Sequence, residues 1–267
     1  MKKIILILLL IISLSANDRI TICGTGDSQE LLSALALAYE KDNLNSKIAI
    51  EDSIGSGGGI KSVVFDQCDL GRVARGIKKS EEKYNLNYIE FAKSAVVFVT
   101  NPNIDKINNI TTKEVVSIFD GTTKRWENID EHSEGKIYIA RREAGDSSTT
   151  VIEKNIDNYK DIKELAGKVI FTTPKTVNII CKYKNTIGYL PLSQAINKKL
   201  NILSLDGIEA SVENIMQDKY KLVVPFGLVY KGKLSKLSKN FIDFIFSEDG
   251  KKIILSHGSI PSFRLSR

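Results

Sequence analysis

The sequence predicts an α/β fold with largely parallel sheets. Short apolar strands alternate with amphipathic helices along the chain, the pattern of βαβ units. Three strand-to-helix junctions also share one make-up of glycine and hydroxyl residues. They are Gly24-Thr25-Gly26-Asp27-Ser28, Gly55-Ser56-Gly57-Gly58-Gly59 and Gly145-Asp146-Ser147-Ser148-Thr149.

Residues 19–23 form a short apolar strand. Leu31, Leu35 and Ala38, with Leu32, Ala36 and Tyr39, recur at helical spacing, so residues 27–40 are an amphipathic helix. In residues 46–52, apolar Ile48 and Ile50 alternate with polar Lys47 and Glu51, the period of a strand. The cluster 55–59 reads as a turn, 60–65 as a short helix and 69–73 as a strand. Residues 78–85 are polar and helical, and the β-branched run 92–100 is a strand stopped by Asn101-Pro102. Residues 111–119 form a helix that opens on Thr111-Thr112-Lys113-Glu114, a capping box with Thr111 as the cap. Next come strands at 136–140, 169–172 and 186–190, a helix over 147–155 and a short helix at 212–217. An apolar strand covers 222–231, and Leu234, Leu237, Phe241, Phe244 and Ile245 then return to helical spacing. A last helix, 247–257, stops at Gly258 ahead of Pro261.

No repeat and no Pro/Gly/Ser-rich linker divides the 267 residues. Two domains without a spacer favour connection by crossing strands, and the apolar strands at 95–100 and 223–231 are the candidates. Met1-Lys2-Lys3 precedes nine apolar residues and then Ser13-Leu14-Ser15-Ala16, the make-up of a secretory leader. That run is too short to span a bilayer, which takes about 20 apolar residues. Cleavage near Ala16 removes Lys2 and Lys3 and lowers the formal charge from +6 to +4. The remaining excess is too small and scattered to indicate nucleic acid. Hydrophobic residues at 42% and charged residues at 26% exclude a disordered chain and a polytopic membrane protein. An exported, soluble product is expected.

Cys23, Cys68 and Cys181 lack metal-ligand spacing, and there are only two histidines. Each cysteine is expected as a buried free thiol, with a Cys23–Cys68 bridge left open. Cys23 lies within a strand-like run beyond the leader and is not read as a lipid-attachment cysteine.

A glycine- and hydroxyl-rich turn at a helix start presents free backbone N–H groups to an anion. One such turn is ordinary capping; three in one chain, one beside an arginine, point to a ligand. Arg142 follows the strand at 136–140, and its guanidinium can grip a tetrahedral oxyanion with two charge-assisted hydrogen bonds. Arg72 and Arg75 flank Val73-Ala74 after another strand, and Arg72 reads equally as a structural ion-pair residue. Nucleotide motifs fail: Ile60 stands where a P-loop needs glycine, and Gln29 replaces the third glycine of a dinucleotide fingerprint. There is no G-x-S-x-G turn, and His132 and His257 are expected at the surface. No nucleophile–base pair and no metal cluster is visible. Hence no catalytic residue, metal or cofactor is assigned, and the chain is expected to bind rather than catalyse.

The same residues resemble, in order and over nearly the whole chain after the leader, the phosphate-binding proteins of bacterial phosphate ABC transporters. These are type II periplasmic solute-binding proteins. Gly55-Ser56-Gly57-Gly58-Gly59-Ile60-Lys61 matches the family's G-S-G-G-G-I-K, and Asp69-Leu70-Gly71 its D-[FI]-G. Residues 109–120 with Trp126 resemble N-L-T … I-F-x-G … N-W, and residues 142–148 resemble R-x-D-G-S-G-T. Ile187-Gly188-Tyr189 matches I-G-Y, and 241–261 resemble the closing helices. The resemblance implies two α/β domains with mixed sheets, joined by two crossing strands. Residues 17–97 with 224–267 would form the first domain and 98–223 the second, after a leader of residues 1–16. It further implies inorganic phosphate or a similar oxyanion in the interdomain cleft, a monomer in the periplasm, and delivery to an inner-membrane ABC permease. The contacts it implies are Ser28, Ser56 with Gly57, Arg142 and the helix start at Asp146, Ser147 and Ser148; Asp27 and Arg75, from the reading of the residues themselves, complete the expected ligand set.

Departures from the family pattern sharpen the question of the ligand. Ala74, followed by Arg75, stands where the family often has an acceptor for the proton of hydrogen phosphate. Asp146 replaces a usual serine, Ala144 a usual aspartate, and Asp27 adds a carboxylate. A carboxylate facing a dianion is repelled unless a proton is shared. Either Asp27 or Asp146 takes that proton, or both are helix caps turned away, or the ligand is another oxyanion or a phosphorylated small molecule. A hydrolase of phosphate esters and a sensor without transport are the rival classes.

Overall fold

The computed structural model describes residues 18–263. The expected leader, residues 1–16, lies outside them. β1 (Asp18–Gly24) pairs in parallel with β2 (Ser46–Ser53) on one side and β3 (Leu70–Val73) on the other. The crossovers are α1 (Gln29–Asp42) and α2 (Gly55–Val64). α1 buries Leu31, Leu32, Leu35, Ala36 and Tyr39, the stripe its spacing predicts.

The cluster 55–59 is not a turn ahead of a helix, as expected, but the opening of α2 itself. Close approach explains the glycines. A Cβ on Gly59 would lie 2.8 Å from the Gly24 Cα and 3.0 Å from the Cys23 carbonyl oxygen, so only glycine lets α2 lie this close to β1.

A 3₁₀ turn (Lys79–Tyr84) leads into β4 (Asn87–Thr100), longer than expected. Then follow β5 (Asn109–Ile110) and α3 (Thr112–Phe119). The capping box at α3 forms as predicted: Thr111 Oγ1 accepts from the Glu114 N–H, and Glu114 Oε2 accepts from the Thr111 N–H. β6 (Tyr138–Arg141), α4 (Ser147–Asn155) and β7 (Lys168–Val169) come next, then α5 (Thr173–Lys182). The strand expected over 169–172 is thus cut short, and α5 begins where no helix was expected, with Pro174 in its first turn. β8 (Thr186–Pro191), α6 (Leu192–Ala195), β9 (Asn201–Ile202), β10 (Ser204–Leu205) and α7 (Val212–Met216) lead to β11 (Val223–Tyr230). The described chain closes with α8 (Lys236–Ile245), α9 (Glu248–Ser256) and β12 (Ser259–Pro261).

The main path through the large sheet runs β2-β1-β3-β11-β4-β8-β6-β7. It is mixed, not largely parallel, because β11 is antiparallel to both β3 and β4, and β4 is antiparallel to β8. β4 joins the two halves. Its residues 87–95 pair with β11, and its residues 96–100 pair with β8. β11 begins at Val223, opposite Ala95, so the chain returns to the first half where it left. Phe91 packs on Phe226 in the first half, and Phe98, Phe119 and Tyr189 pack together in the second.

Cys23 and Cys68 are joined in a disulfide with their Cα atoms 6.1 Å apart, not held as free thiols. Parallel pairing of β1 with β3 is what brings them together, since Cys68 lies just before β3. Cys181 is free, but exposed rather than buried.

Candidate functional site

The hydroxyl-rich turns meet where the two halves of the sheet join. Ser56 in α2 and Ser147 at the start of α4 approach Oγ to Oγ at 3.4 Å. Ser56 Oγ also accepts the N–H of Ala74 at 3.1 Å, which fixes its rotamer. Gly57, next to Ser56, faces open space. From the other side, the loop between β1 and α1 brings Asp27 against the start of α5. The Thr173 hydroxyl donates to Asp27 Oδ1 at 2.5 Å, and the Ser193 hydroxyl to the Asp27 carbonyl at 3.3 Å.

Arg142 links these groups. It follows β6 directly and is 4% exposed. Its Nη1 donates to Thr173 Oγ1 at 3.1 Å, and its Nη2 to the Phe171 carbonyl at 3.1 Å. Nη2 also lies 3.1 Å from Asp146 Oδ2, and Nε lies 3.4 Å from Glu143 Oε2. The Arg142 N–H donates to the Tyr189 hydroxyl, which meets Thr149 Oγ1 at 2.7 Å.

The two aspartates divide. Asp146 is the N-cap of α4: Oδ1 accepts from the N–H groups of Ser148 and Thr149, and Oδ2 faces Arg142. Asp27 caps nothing through its side chain, because Ser28 holds the N-cap position of α1. Asp27 is 1% exposed, and its Oδ2 has no hydrogen-bond partner. Burial first, and the nearby Asp146 second, push its carboxyl up from 3.8 to about 6, against the pull of Arg142 and of hydrogen bonds from Thr173 and Thr25.

Ser28 Oγ and Ser148 Oγ are likewise buried without a hydrogen-bond partner, and Arg142 Nε has only its ion pair with Glu143. Buried polar atoms are normally paired, so unpartnered ones on the segments that meet here mark a place built for a polar ligand. The surface hollow beside Cys68, Asp69, Lys231 and Ser235 is a different matter. None of its lining residues carries an unpartnered buried atom.

Among the expected ligand residues, Asp27, Ser28, Ser56, Gly57, Arg142, Asp146, Ser147 and Ser148 lie on the segments that meet here. Arg75 does not join them as expected. Its guanidinium forms a two-pronged bond to Glu81, 2.7 Å at each oxygen, because the 3₁₀ turn places that carboxylate beside it. Arg72 is structural. It is fully buried and donates to the carbonyls of Ile22, Thr25 and Glu51, so it holds the loop that carries Asp27. Desolvation pulls it down to about 10, still well above neutral. Thr173 was missed. Its only signal was the Thr172-Thr173-Pro174 helix start, read as the end of a strand.

Residues 13–249 match the model of the PBP superfamily domain, most of the chain. The chain belongs to the PBP superfamily. This PBP chain is 29% identical to the phosphate-binding protein PstS of Borreliella burgdorferi, over 96% of its own length and 97% of the relative's. To the phosphate-binding protein PstS of Bacillus subtilis it is 25% identical, over 92% and 81%. Its fold is shared with a Clostridium perfringens protein described as a phosphate ABC transporter substrate-binding protein and solved with bound phosphate. The TM-score is 0.81 at 24% identity, covering 92% of this chain and 100% of the other. That shared architecture is the type II periplasmic-binding-protein fold.

Proposed function

We propose that this PBP-superfamily chain is an exported solute-binding protein that takes up inorganic phosphate and hands it to an ABC permease. The observation that carries the reading is a buried Asp27 whose Oδ2 has no partner, held near Arg142 through the Thr173 hydroxyl. The guanidinium and the hydroxyls of Ser28, Ser56, Ser147 and Ser148 donate to phosphate oxygens, as do N–H groups at the starts of α1, α2 and α4. Asp27 Oδ2 accepts the remaining proton of hydrogen phosphate. Sulfate has no such proton, so in its place two negative oxygens would meet in a dry site. The names of the relatives in Borreliella and Bacillus support the same ligand.

In this reading the two sheet halves are lobes, residues 17–97 with 224–267 and residues 98–223, and residues 1–16 are the export leader. The lobes close on the anion about the crossings near Ala95 and Val223. The protein acts as a monomer in the periplasm and makes or breaks no bond. Isothermal titration tests this: phosphate binds, sulfate does not, and a generic phosphate ester is not turned over. Ester hydrolysis, or no heat with phosphate, overturns it.

A further inference from the structure

We propose that Thr173 is the positioning residue that couples the two sides of the anion site, one hydroxyl fixing the Arg142 guanidinium and the Asp27 carboxylate in a single geometry. Seating of the ligand and the approach of the β1–α1 loop to the start of α5 then occur together. The inference rests on the phosphate reading above.

The polarity of the relay is forced. A guanidinium offers no lone pair, so Thr173 Oγ1 accepts from Arg142 Nη1 at 3.1 Å and keeps its proton for Asp27 Oδ1 at 2.5 Å. Thr173 is 2% exposed and lies 146 residues from Asp27 in sequence, so no local chain connection sets this contact. The backbone is shaped to allow it. A Cβ on Gly26 would lie 2.5 Å from Pro174 Cδ, so the loop before Asp27 reaches the start of α5 only as glycine. The Phe171 carbonyl, which follows β7 beside β6, also holds Arg142 in place.

Four side chains act on the Asp27 carboxyl: Asp146 from the start of α4, Arg142 from the end of β6, Thr25 from its own loop and Thr173 from α5. The Thr173 bond favours the ionised form, so its loss raises the pH at which Asp27 titrates. A residue that merely filled space would leave that titration where it is.

The test measures phosphate affinity by isothermal titration in wild type, Thr173→Val, Thr173→Ala and Thr173→Ser, with each variant's melting temperature as a check of folding. Carbon-detected NMR follows the Asp27 carboxyl without phosphate. Both hydroxyl-free variants are expected to lose about tenfold or more in affinity, and Thr173→Ser to stay within about threefold. The Asp27 midpoint is expected to rise by about half a pH unit without the hydroxyl and to return with serine. Unchanged affinity in a folded hydroxyl-free variant overturns the coupling. So does a loss that serine does not restore, or a loss with an unmoved Asp27 midpoint. A wild-type protein that binds no phosphate overturns the phosphate reading and this inference with it; intact wild-type binding with an unaltered Thr173→Val overturns the coupling alone.

Discussion

Ser56 Oγ and Ser147 Oγ lie 3.4 Å apart although 91 residues separate them in the chain. One belongs to α2 and the other opens α4, so the contact ties the first half of the sheet to the second. Two hydroxyls sharing one contact and one ligand should not act independently. Ser56→Ala and Ser147→Ala are each expected to weaken phosphate binding about three- to tenfold. The double variant should lose less than the product of the two, with a coupling of about 0.5–1 kcal/mol. Strict additivity in titration calorimetry would separate the two residues.

Arg142 carries the positive charge of the site and has two carboxylates beside it, those of Asp146 and Glu143. Arg142→Ala is expected to abolish phosphate binding. It should also lower stability by about 2–4 kcal/mol, because two carboxylates lose their buried partner. Arg142→Lys should recover stability better than affinity, since a point charge cannot reproduce the planar fork. Undiminished phosphate affinity in Arg142→Ala would remove this residue from the site.

Much of this site was legible in the sequence because its parts are local. A glycine- and hydroxyl-rich helix start carries its donors in consecutive residues, and Arg142 precedes one by a few positions. What was not legible depends on pairs distant in the chain. Arg75 looked free until the turn at Lys79–Tyr84 set Glu81 against it. Thr173 lies in a β-branched run that propensity reads as strand, and its partners are 31 and 146 residues away. The same limit applied to the aspartates. Both were N-cap types at helix starts, and only burial and partner geometry separate the cap, Asp146, from Asp27.

That separation has consequences in pH and specificity. The unfolded chain ionises Asp27 near 3.8 and the folded one near 6. Between these values the native state holds the extra proton, so stability falls as pH rises through that window and levels off above it. Asp27→Asn removes the effect. In phosphate-free thermal melts it should be more stable than wild type at pH 7.5 by about 1–3 kcal/mol, with the advantage gone near pH 4. Its preference for phosphate over sulfate should collapse about tenfold or more. Asp146→Asn behaves differently. Asparagine still caps α4, the ion pair with Arg142 is lost, and the discrimination stays. Equal discrimination in Asp27→Asn and wild type would take the acceptor role from Asp27.

The disulfide acts on the same loop from below. Cys23 ends the apolar part of β1, immediately before the Gly24–Asp27 segment, and its bond to Cys68 closes a loop across 45 positions of sequence. Cross-linking restricts the unfolded chain, which for a loop of this length contributes about 2–4 kcal/mol. Cys23→Ser with Cys68→Ser is therefore expected to lower the midpoint of urea unfolding by an amount matching that range. The denatured state regains freedom, while Arg72 still holds the loop through the Ile22 and Thr25 carbonyls. Phosphate affinity of the folded double variant should then fall by no more than about threefold. Thiol titration of the native wild-type protein should find one reactive group, Cys181, which is exposed. Three thiols without reductant, or an unfolding midpoint unmoved by the double substitution, would count against the bridge as a stabilising clamp.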